Sequence, residues 1–163
     1  MKEHSRAVGF EAEYDKESRI LILGSFPSVK SRRVEFYYGN GQNRFWCTVC
    51  GFFGEEIPED TAGKKEFLHR RHIALWDVVM ACDIVGSSDA SILNEEIADI
   101  PALLNQTGIR KVLCNGSKAY ELLCLHFPEI GVRAIKLPST SPANPRFSSA
   151  VWAETLAACL NQE

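Results

Sequence analysis

Four short apolar runs are spaced along the chain, and they limit its possible folds more than any other feature. They lie at 19–23, 73–79, 111–114 and 132–137 and are rich in branched aliphatic residues. Runs of this kind are typical of strands that are buried on both faces of a parallel sheet. Because helix-like segments separate them, the sequence predicts a three-layer α/β/α fold with a mostly parallel four-stranded central sheet.

Apolar residues recur at helical spacing between these runs. The spacing predicts helices over 43–53, 64–72, 99–106 and 118–126, and a last helix that ends near residue 160. Asn43 is placed to cap the first of them. With 163 residues, the chain is expected to form a single domain over 1–163.

The composition narrows the class of protein. The chain is 45% hydrophobic and 24% charged, as is usual for a globular domain, and its net charge of −3 gives no support to nucleic-acid binding through a basic face. No apolar stretch is long enough for a membrane helix and no secretory signal is recognisable, so we expect a cytoplasmic protein without membrane contact. The cysteines mostly lie inside apolar runs, which predicts reduced thiols.

Unusual polar loops follow the predicted strands. The longest of these loops extends from Gly24 to Gln42. The apolar run 73–79 contains one carboxylate, Asp77, near its carboxyl end. The carboxyl ends of parallel strands meet at one edge of a sheet, so a single crevice is expected to receive side chains from several loops. The expected set is Phe26, Tyr38, Asn40, Asp77, Asn115 and Ser139.

The segment 37–46 crowds aromatic and carboxamide side chains around two glycines. Loop packing is one explanation for the tyrosines, and core packing explains Phe45 and Trp46. A site that stacks on a nucleobase and hydrogen-bonds its edge needs the same groups. The segment 24–28 offers small residues and backbone N–H groups for close approach of a planar or anionic ligand, although a plain strand-end turn has the same pattern.

Three segments resemble the motifs of the uracil-DNA glycosylase superfamily: LGSFPS at 23–28, YYGNGQNRFW at 37–46 and LPSTSPAN at 137–144. The segments 75–79 and 112–117 fall where the other site strands of that superfamily are expected. The resemblance covers roughly residues 19 to 160. It implies a DNA glycosylase that flips a base out of the helix and hydrolyses its glycosidic bond, with no cofactor and no metal.

Two positions depart from the better-known branches of the superfamily. Phe26 stands where most of them have Asn or Asp to position water, and Ser139 stands where they have a histidine. Both departures look like the hypoxanthine-DNA (deoxyinosine) glycosylase branch, in which an asparagine of the Tyr-Tyr-Gly-Asn segment is thought to carry catalysis. The resemblance thus implies Asn40 as the catalytic residue, although Gly41 stands where a proline is expected.

The resemblance also indicates which residues bind the base: Gly24, Ser25, Phe26, Pro27, Tyr38, Asn43, Asp77, Asn115 and Ser139. Tyr38 or Phe26 would stack on it. Asp77 stands where the better-known uracil enzymes have an asparagine that recognises the base edge. An ionised Asp77 would accept the N1–H of hypoxanthine and disfavour adenine, whose N1 is an acceptor. A helix-capping or salt-bridged Asp77 is the alternative.

Phosphates are expected to be held by hydroxyls, backbone amides and helix N-termini, with several cations close by. The candidates for DNA binding are Ser28, Lys30, Ser31, Arg44, Ser117, Lys118, Thr140, Ser141, Pro142, Ala143 and Asn144. Arg32, Arg33 and Arg146 add charge to the same rim, and 141–143 corresponds to the intercalating loop of the superfamily. The expected partner is double- or single-stranded DNA with a deaminated base, bound by a monomer.

Other interpretations remain open from the sequence alone. A uracil- or mismatch-directed glycosylase of the same superfamily would share the motifs, and a non-catalytic nucleotide-binding α/β domain would share the sheet. Cys47 and Cys50 form a CxxC, which can mark a redox pair or half of a metal site. This CxxC lies inside the predicted helix, and no second CxxC or Cys–His cluster accompanies it, so core packing is favoured.

Overall fold

The structure is a computed structural model that describes residues 3–161. Its strands are β1 (Ser5–Val8), β2 (Ile20–Gly24), β3 (Ile73–Asp77), β4 (Val79–Ile84), β5 (Leu93–Ile97), β6 (Lys111–Asn115) and β7 (Ile135–Leu137). Its helices are α1 (Val29–Val34), α2 (Phe45–Phe52), α3 (Thr61–Arg70), α4 (Ile100–Asn105), α5 (Ser117–His126), α6 (Pro128–Gly131) and α7 (Ser149–Leu160). A short 3₁₀ helix spans Asp89–Ser91.

The four predicted strands form one parallel sheet in the order β3-β2-β6-β7. Every residue of β2 and β3 is buried, as expected of strands covered on both faces. The predicted mostly parallel, four-stranded central sheet is therefore confirmed. β7 is shorter than predicted, because α6 and the turn after it occupy the chain up to Ala134.

A second, antiparallel sheet of order β1-β4-β5 was not predicted. The apolar run 73–79 does not form one strand: β3 ends at Asp77, and β4 continues from Val79 into the second sheet. Hydrogen bonds from the N–H groups of Val78 and Val79 to the carbonyls of Gly24 and Ser25 fix the point where the chain leaves the parallel sheet. This departure opens space beyond Asp77.

The predicted helices are present, with shifted ends. α2 begins after Arg44, which is its N-cap residue in place of the predicted Asn43. Asn43 still serves the first turn, because its Oδ1 accepts the N–H of Phe45 at 2.8 Å. α3 begins before the predicted residue 64, since Asp60 caps it by accepting the N–H of Gly63 at 2.7 Å. α1 lies within a segment that was predicted to be a loop.

The core beneath the site is aromatic. Phe45 and Trp152 are fully buried, and their rings meet edge to face at 6.2 Å. The indole N–H of Trp152 donates to the carbonyl of Pro138 at 2.8 Å, so α7 supports the start of the last polar loop. The motif segments 37–46 and 137–144 are thus anchored on the same part of the core.

None of the helices within residues 3–161 is long and apolar enough to cross a membrane. The buried apolar side chains of both sheets and the helices belong to one hydrophobic cluster. That the chain forms a single domain over 1–163 stays a prediction, and residues 1–2 and 162–163 lie outside the described residues.

Candidate active site

A cavity of about 290 Å³ opens where β2, β3 and β6 end. Its lining comes from the loops after these strands and from the loop after β7: Gly24, Ser25, Phe26, Pro27, Ser28, Ser31, Tyr37, Tyr38, Asn40, Asn43, Asp77, Ser87, Asp89, Asn115, Ser139, Thr140, Ser141, Pro142 and Ala143. The six side chains that were expected to share one crevice all line this cavity. So do all nine candidates for base binding.

Asp77 is the last residue of β3 and is 5% exposed. Within the described residues it caps no helix and forms no ion pair, and its Oδ2 has no hydrogen-bond partner. Burial, together with the negative charge of Asp89, raises the pKa of Asp77 to about 8. The carboxyl is therefore mostly protonated at neutral pH, whereas the interpretation from sequence assumed an ionised group.

Gly24 lies opposite Asp77 in the register of the paired strands. A Cβ built on Gly24 would collide with Oδ1 of Asp77 and would stand 3.4 Å from the hydroxyl of Tyr38. A side chain fits here only if the carboxyl of Asp77 is displaced, which gives the glycine of the first motif a steric reason.

Tyr38 has a left-handed backbone, with φ of 55°. Its ring stacks on Phe45 with centroids 4.0 Å apart, so that one face is already covered by the core. Its hydroxyl is buried and has no hydrogen-bond partner in the described part of the chain. Burial, and after it the charge of Asp77, raises the pKa of Tyr38, which keeps the hydroxyl protonated. The carboxamide of Asn115 is near enough to act in the opposite direction, but its hydrogen bonds in the structure go to Thr140. The face of the Tyr38 ring that packs on Phe45 is not available to a base, and stacking of Tyr38 on the base stays a prediction.

Phe26 and Tyr37 are the other aromatic residues of the lining. The guanidinium of Arg32 lies 5.3 Å from the centroid of the Phe26 ring and donates to the carbonyl of Pro27 at 2.7 Å. Phe26 is thus held in place as a wall of the cavity. Tyr37 is buried and donates its hydroxyl to the carbonyl of Glu11 at 2.8 Å, so packing explains this tyrosine.

Asn40 is half-buried at the edge of the cavity. Its Oδ1 accepts the N–H of Gln42 and its carbonyl accepts the N–H of Asn43, each at 2.9 Å. These two hydrogen bonds close the turn around Gly41, the position where a proline was expected. Nδ2 of Asn40 donates to no other group within residues 3–161, so it remains able to bind a water or a sugar oxygen.

Asn115 connects β6 to the last polar loop. Its Nδ2 donates to the hydroxyl of Thr140 at 2.9 Å, and its Oδ1 accepts the N–H of Thr140 at 3.0 Å. This two-way contact commits most of the carboxamide that was predicted to bind the base. In the structure, Asn115 therefore positions Thr140 while also lining the cavity.

Arg44, a candidate for DNA binding, is directed toward the same loop. Its Nη2 donates to the carbonyls of Ser141 and Asn144, and its guanidinium lies 4.4 Å from the centroid of the Phe147 ring. Its backbone N–H also donates to the carbonyl of Thr140. Arg44 thus links the start of α2 to residues 140–144, and its contact with phosphate stays a prediction.

A groove of about 570 Å³ adjoins the cavity. It is lined by Asp89, Ser117, Lys118, Lys136, Leu137, Pro138, Ser139, Ser141, Ala143, Asn144 and Arg146. Five candidates for DNA binding belong to this lining, and four others, Ser28, Ser31, Thr140 and Pro142, line the cavity instead. Lys30 and Arg44 line neither space.

Asp89 and Lys136 were not singled out from the sequence. Asp89 accepts the hydroxyl of Ser25 at 2.7 Å and lines both spaces, although it lies in a polar stretch far along the chain from the motifs. Lys136 is an exposed residue of β7. The other two cations of the groove, Lys118 and Arg146, had been expected at this rim from the sequence.

The CxxC lies inside α2, with Cys47 exposed and Cys50 buried. Burial raises the pKa of Cys50 to about 11, which is the opposite of what an attacking thiolate needs. Within residues 3–161, no group of three or more His, Cys, Asp or Glu residues is arranged to hold a metal. The geometry thus favours the packing explanation for this motif.

The chain is similar to several known proteins. The family model of the "Uracil DNA glycosylase superfamily" matches residues 11–158. A curated hypoxanthine DNA glycosylase of Methanosarcina acetivorans is 42% identical over 86% of this chain and 89% of its own length. A curated hypoxanthine DNA glycosylase of Methanosarcina barkeri is 35% identical over 85% of this chain and 88% of its own length.

A solved structure is also similar. It is the solution NMR structure of a Methanosarcina acetivorans protein that carries the uracil DNA glycosylase name. Its sequence is 36% identical, its TM-score is 0.82, and the match covers 96% of this chain and 100% of the other. With a family match over most of its length and two relatives above 30% identity, this chain belongs to the uracil DNA glycosylase superfamily.

Proposed function

We propose that this chain is a monofunctional DNA glycosylase that excises hypoxanthine from deoxyinosine in DNA and so starts base excision repair. The names of both curated relatives support this substrate. The observation that carries the proposal is the position of Asp77: a buried carboxyl, whose Oδ2 has no hydrogen-bond partner within residues 3–161, borders a cavity lined by the motifs of a glycosylase. An unsatisfied buried carboxyl at such a place is suited to a hydrogen-bonding ligand.

The size of the cavity supports recognition of a single flipped nucleotide. Its volume of about 290 Å³ is near the lower end of the range for small-molecule sites, roughly 300–1,000 Å³. A base inside a duplex exposes neither its glycosidic bond nor its pairing edge, so an enzyme must extrude it. A cavity for one base beside a groove with three cations fits that requirement.

Asn40 is the candidate catalytic residue. Phe26 cannot position water as the Asn or Asp of the better-known branches does, and Ser139 is a weaker group than the histidine that stabilises the base anion there. The carboxamide of Asn40 lies at the edge of the cavity, where a second lone pair on Oδ1 can accept a proton of the attacking water and Nδ2 donates to no other group within residues 3–161. A carboxamide cannot act as a strong general base. The reaction therefore depends on water attacking a sugar that already has oxocarbenium character, and on stabilisation of the departing base.

Asp77 is the candidate residue for base recognition. The carbonyl oxygen of a neutral carboxyl accepts the N1–H of hypoxanthine as an ionised one does. Phe26 is placed to border the plane of the base. Uracil presents an equivalent N–H, and it is the alternative substrate within the superfamily.

The groove next to the cavity is the candidate path of the DNA strand. Lys118, Lys136 and Arg146 supply positive charge, and Ser117 stands in the first turn of α5. Hydroxyls and helix N-termini bind phosphate without a large net charge, which fits a chain with a net charge of −3. We further propose that the protein acts as a monomer in the cytoplasm, where its six free cysteines would remain reduced.

The test uses duplexes that carry one deoxyinosine, deoxyuridine or deoxyadenosine at the same position. The wild-type protein is incubated with each duplex, abasic sites are cleaved with alkali, and the released base is identified by chromatography. We expect release of hypoxanthine first and adenine not at all. Failure to release any deaminated base would end the proposal, and preferential release of uracil would replace the substrate.

Asn40→Ala tests the catalytic residue separately. It should lower the single-turnover rate of hypoxanthine release by about 10²-fold or more, the range seen when a positioned catalytic group is removed. Asn105→Ala is the matched control, because Asn105 is exposed at the end of α4, away from the cavity. A wild-type rate in Asn40→Ala would remove Asn40 from catalysis and leave the glycosylase proposal standing.

A further inference from the structure

Two of the three buried side-chain polar atoms that lack a partner within residues 3–161 belong to residues that line this cavity. They are the hydroxyl oxygen of Tyr38 and Oδ2 of Asp77. Both side chains surround Gly24, since a Cβ on that residue would stand 3.4 Å from the hydroxyl and would collide with the carboxyl. Unpartnered buried polar atoms are rare in folded proteins, and two at one place indicate a shared ligand.

The position of the Tyr38 hydroxyl is fixed by its surroundings. Its backbone φ of 55° is unfavourable for a bulky residue and is kept by the stacking of its ring on Phe45. Gly39 reinforces this geometry, because any side chain there would collide with Val34. A strained residue held against the core by its ring, with its hydroxyl in a cavity, is typical of a preorganised site.

We propose that the Tyr38 hydroxyl and the neutral carboxyl of Asp77 form a two-donor site for the exocyclic oxygen of the departing base. This inference rests on the proposed function, because it assigns chemistry within the same cavity. When the C1′–N9 bond breaks, its electron pair stays with the base and negative charge spreads to O6. Water supplies the oxygen that bonds to C1′, and the proton that this water loses is balanced by the proton that the departing base anion takes up. Two fixed O–H donors at O6 stabilise that charge in the transition state, as an oxyanion hole does.

The charges around Asp77 favour its donor form. Asp89 on the 3₁₀ helix is the charged group that acts on Asp77. Tyr37 and Tyr38 face Asp77 from the loop after α1. Asp89 accepts the hydroxyl of Ser25 and is also near the positive charge of Lys118. Because burial and Asp89 raise the pKa of Asp77 to about 8, and burial raises that of Tyr38, both groups carry their protons at neutral pH.

The two-donor site selects an exocyclic oxygen over an amino group. Hypoxanthine, xanthine and uracil carry an oxygen at this position, whereas adenine and cytosine carry an amino group that donates and does not accept. With adenine bound, the hydroxyl proton of Tyr38 would be left buried without an acceptor. The pair therefore favours deaminated bases over their parents. It does not by itself separate hypoxanthine from guanine, because both carry O6.

The first test is Tyr38→Phe, which keeps the ring and its stacking on Phe45. Single-turnover release of hypoxanthine should fall by about 10²-fold, the usual effect of removing one oxyanion-hole donor, while the affinity for inosine-containing DNA changes little. Tyr14→Phe is the matched control, because Tyr14 is exposed and its hydroxyl accepts only from Gln106. Thermal unfolding of both variants reports whether the fold is intact.

The second test is Asp77→Asn over a range of pH. The wild-type rate should fall above pH about 8, as Asp77 ionises and loses its donor. An asparagine donates through its amide and does not ionise, so this variant should keep the rate at pH 7 within about tenfold and lose the alkaline fall. An ionised Asp77 that only accepts N1–H predicts the reverse, a large loss at pH 7 and no alkaline fall in the wild type.

The outcomes separate this inference from the proposed function. If the wild type releases no hypoxanthine, the proposed function fails and the two-donor site with it. If the wild type releases hypoxanthine and Tyr38→Phe does so at the same rate, only the two-donor site is overturned. If the rate of release still falls at alkaline pH in Asp77→Asn, the fall reports ionisation of the N1–H of the base, and Asp77 is removed from the donor pair.

Discussion

Gly24 and Asp77 face each other as the last residues of two neighbouring parallel strands, and the missing side chain of Gly24 leaves room for the carboxyl of Asp77. The two residues come from distant parts of the sequence. The parallel register of β2 and β3 places them side by side at the edge where the cavity opens. The first motif therefore supplies the space for the carboxyl of a residue that lies outside all three motifs.

This contact predicts the effect of Gly24→Ala. The added methyl group would collide with Oδ1 of Asp77 in a fully buried strand, and relieving such a clash typically costs about 1–3 kcal/mol. We expect the carboxyl to be displaced and the rate of base release, measured in a single turnover, to fall at least about tenfold. Gly51→Ala is the control, since, apart from its own helix backbone and its chain neighbours, no atom of the described residues lies within 4 Å of its Cβ position, and alanine favours a helix. Equal rates in the two variants would contradict the role of Gly24.

The central sheet and the lining of the cavity were predictable from the sequence for a physical reason. A strand buried on both faces must be apolar throughout, so β2, β3 and β6 are visible as continuous runs. Parallel strands also bring their carboxyl ends together, which places Phe26, Asp77 and Asn115 in one crevice. The resemblance to the superfamily added the roles of residues that the pattern alone leaves open.

What was not predictable depends on long-range contacts. β5 is largely polar and exposed, so no apolar pattern marks it as a strand of the second sheet. The protonation of Asp77 depends on burial and on Asp89, which is neither near it in sequence nor part of a motif. Likewise, the side chain of Arg44 is as suited to phosphate as to the carbonyls of Ser141 and Asn144 that it binds.

Asp77 should make stability fall with pH. Its pKa in the folded state, about 8, is above the ordinary value of 3.8, so the folded state holds a proton that the unfolded state has lost between those limits. The free energy of unfolding then decreases by up to about 1.4 kcal/mol per pH unit from pH about 4 to 8. Asp77→Asn should remove this slope and be more stable than the wild type at pH 8. Urea unfolding at several pH values measures it, and parallel slopes in the two proteins would contradict the buried, unpaired carboxyl.

The link from Arg44 to the loop at 140–144 should matter for binding more than for the chemical step. Arg44→Lys keeps the charge, but the shorter side chain has no planar guanidinium to lie on the Phe147 ring and to hold Nη2 between the carbonyls of Ser141 and Asn144, so the loop should lose its fixed position. We expect a rise in KM for inosine-containing DNA with a smaller change in kcat, and a loss of stability of about 1–3 kcal/mol. Arg133→Lys, at an exposed site in the turn before β7, should change neither quantity. A fall in kcat alone would argue against this role.

The cationic groove should determine how binding depends on salt. Lys136→Gln removes one of its three cations at an exposed position, so binding of DNA should weaken for every sequence, and the slope of log K against log salt should decrease by about 1. Lys16→Gln changes the net charge equally at an exposed site outside the groove. Fluorescence anisotropy at several salt concentrations compares the two. The same slope in both variants would mean that net charge, and not the groove, sets the affinity.

His69 holds the chain before β2 against α3, and this contact should weaken as pH rises. Its Nδ1 is 2.9 Å from Asp15 and its Nε2 is 2.7 Å from Glu13, whose backbone pairs with Leu75 of β3. Burial acts to lower the pKa of His69, but the two carboxylates outweigh it, so the pKa is raised above 6.5. The imidazolium therefore adds stability that is complete below pH about 6.5 and is lost as pH rises through the raised value. The difference in Tm between the wild type and His69→Gln should be largest near pH 6 and shrink by pH 9. A difference that does not vary with pH would show that the charge on His69 plays no part.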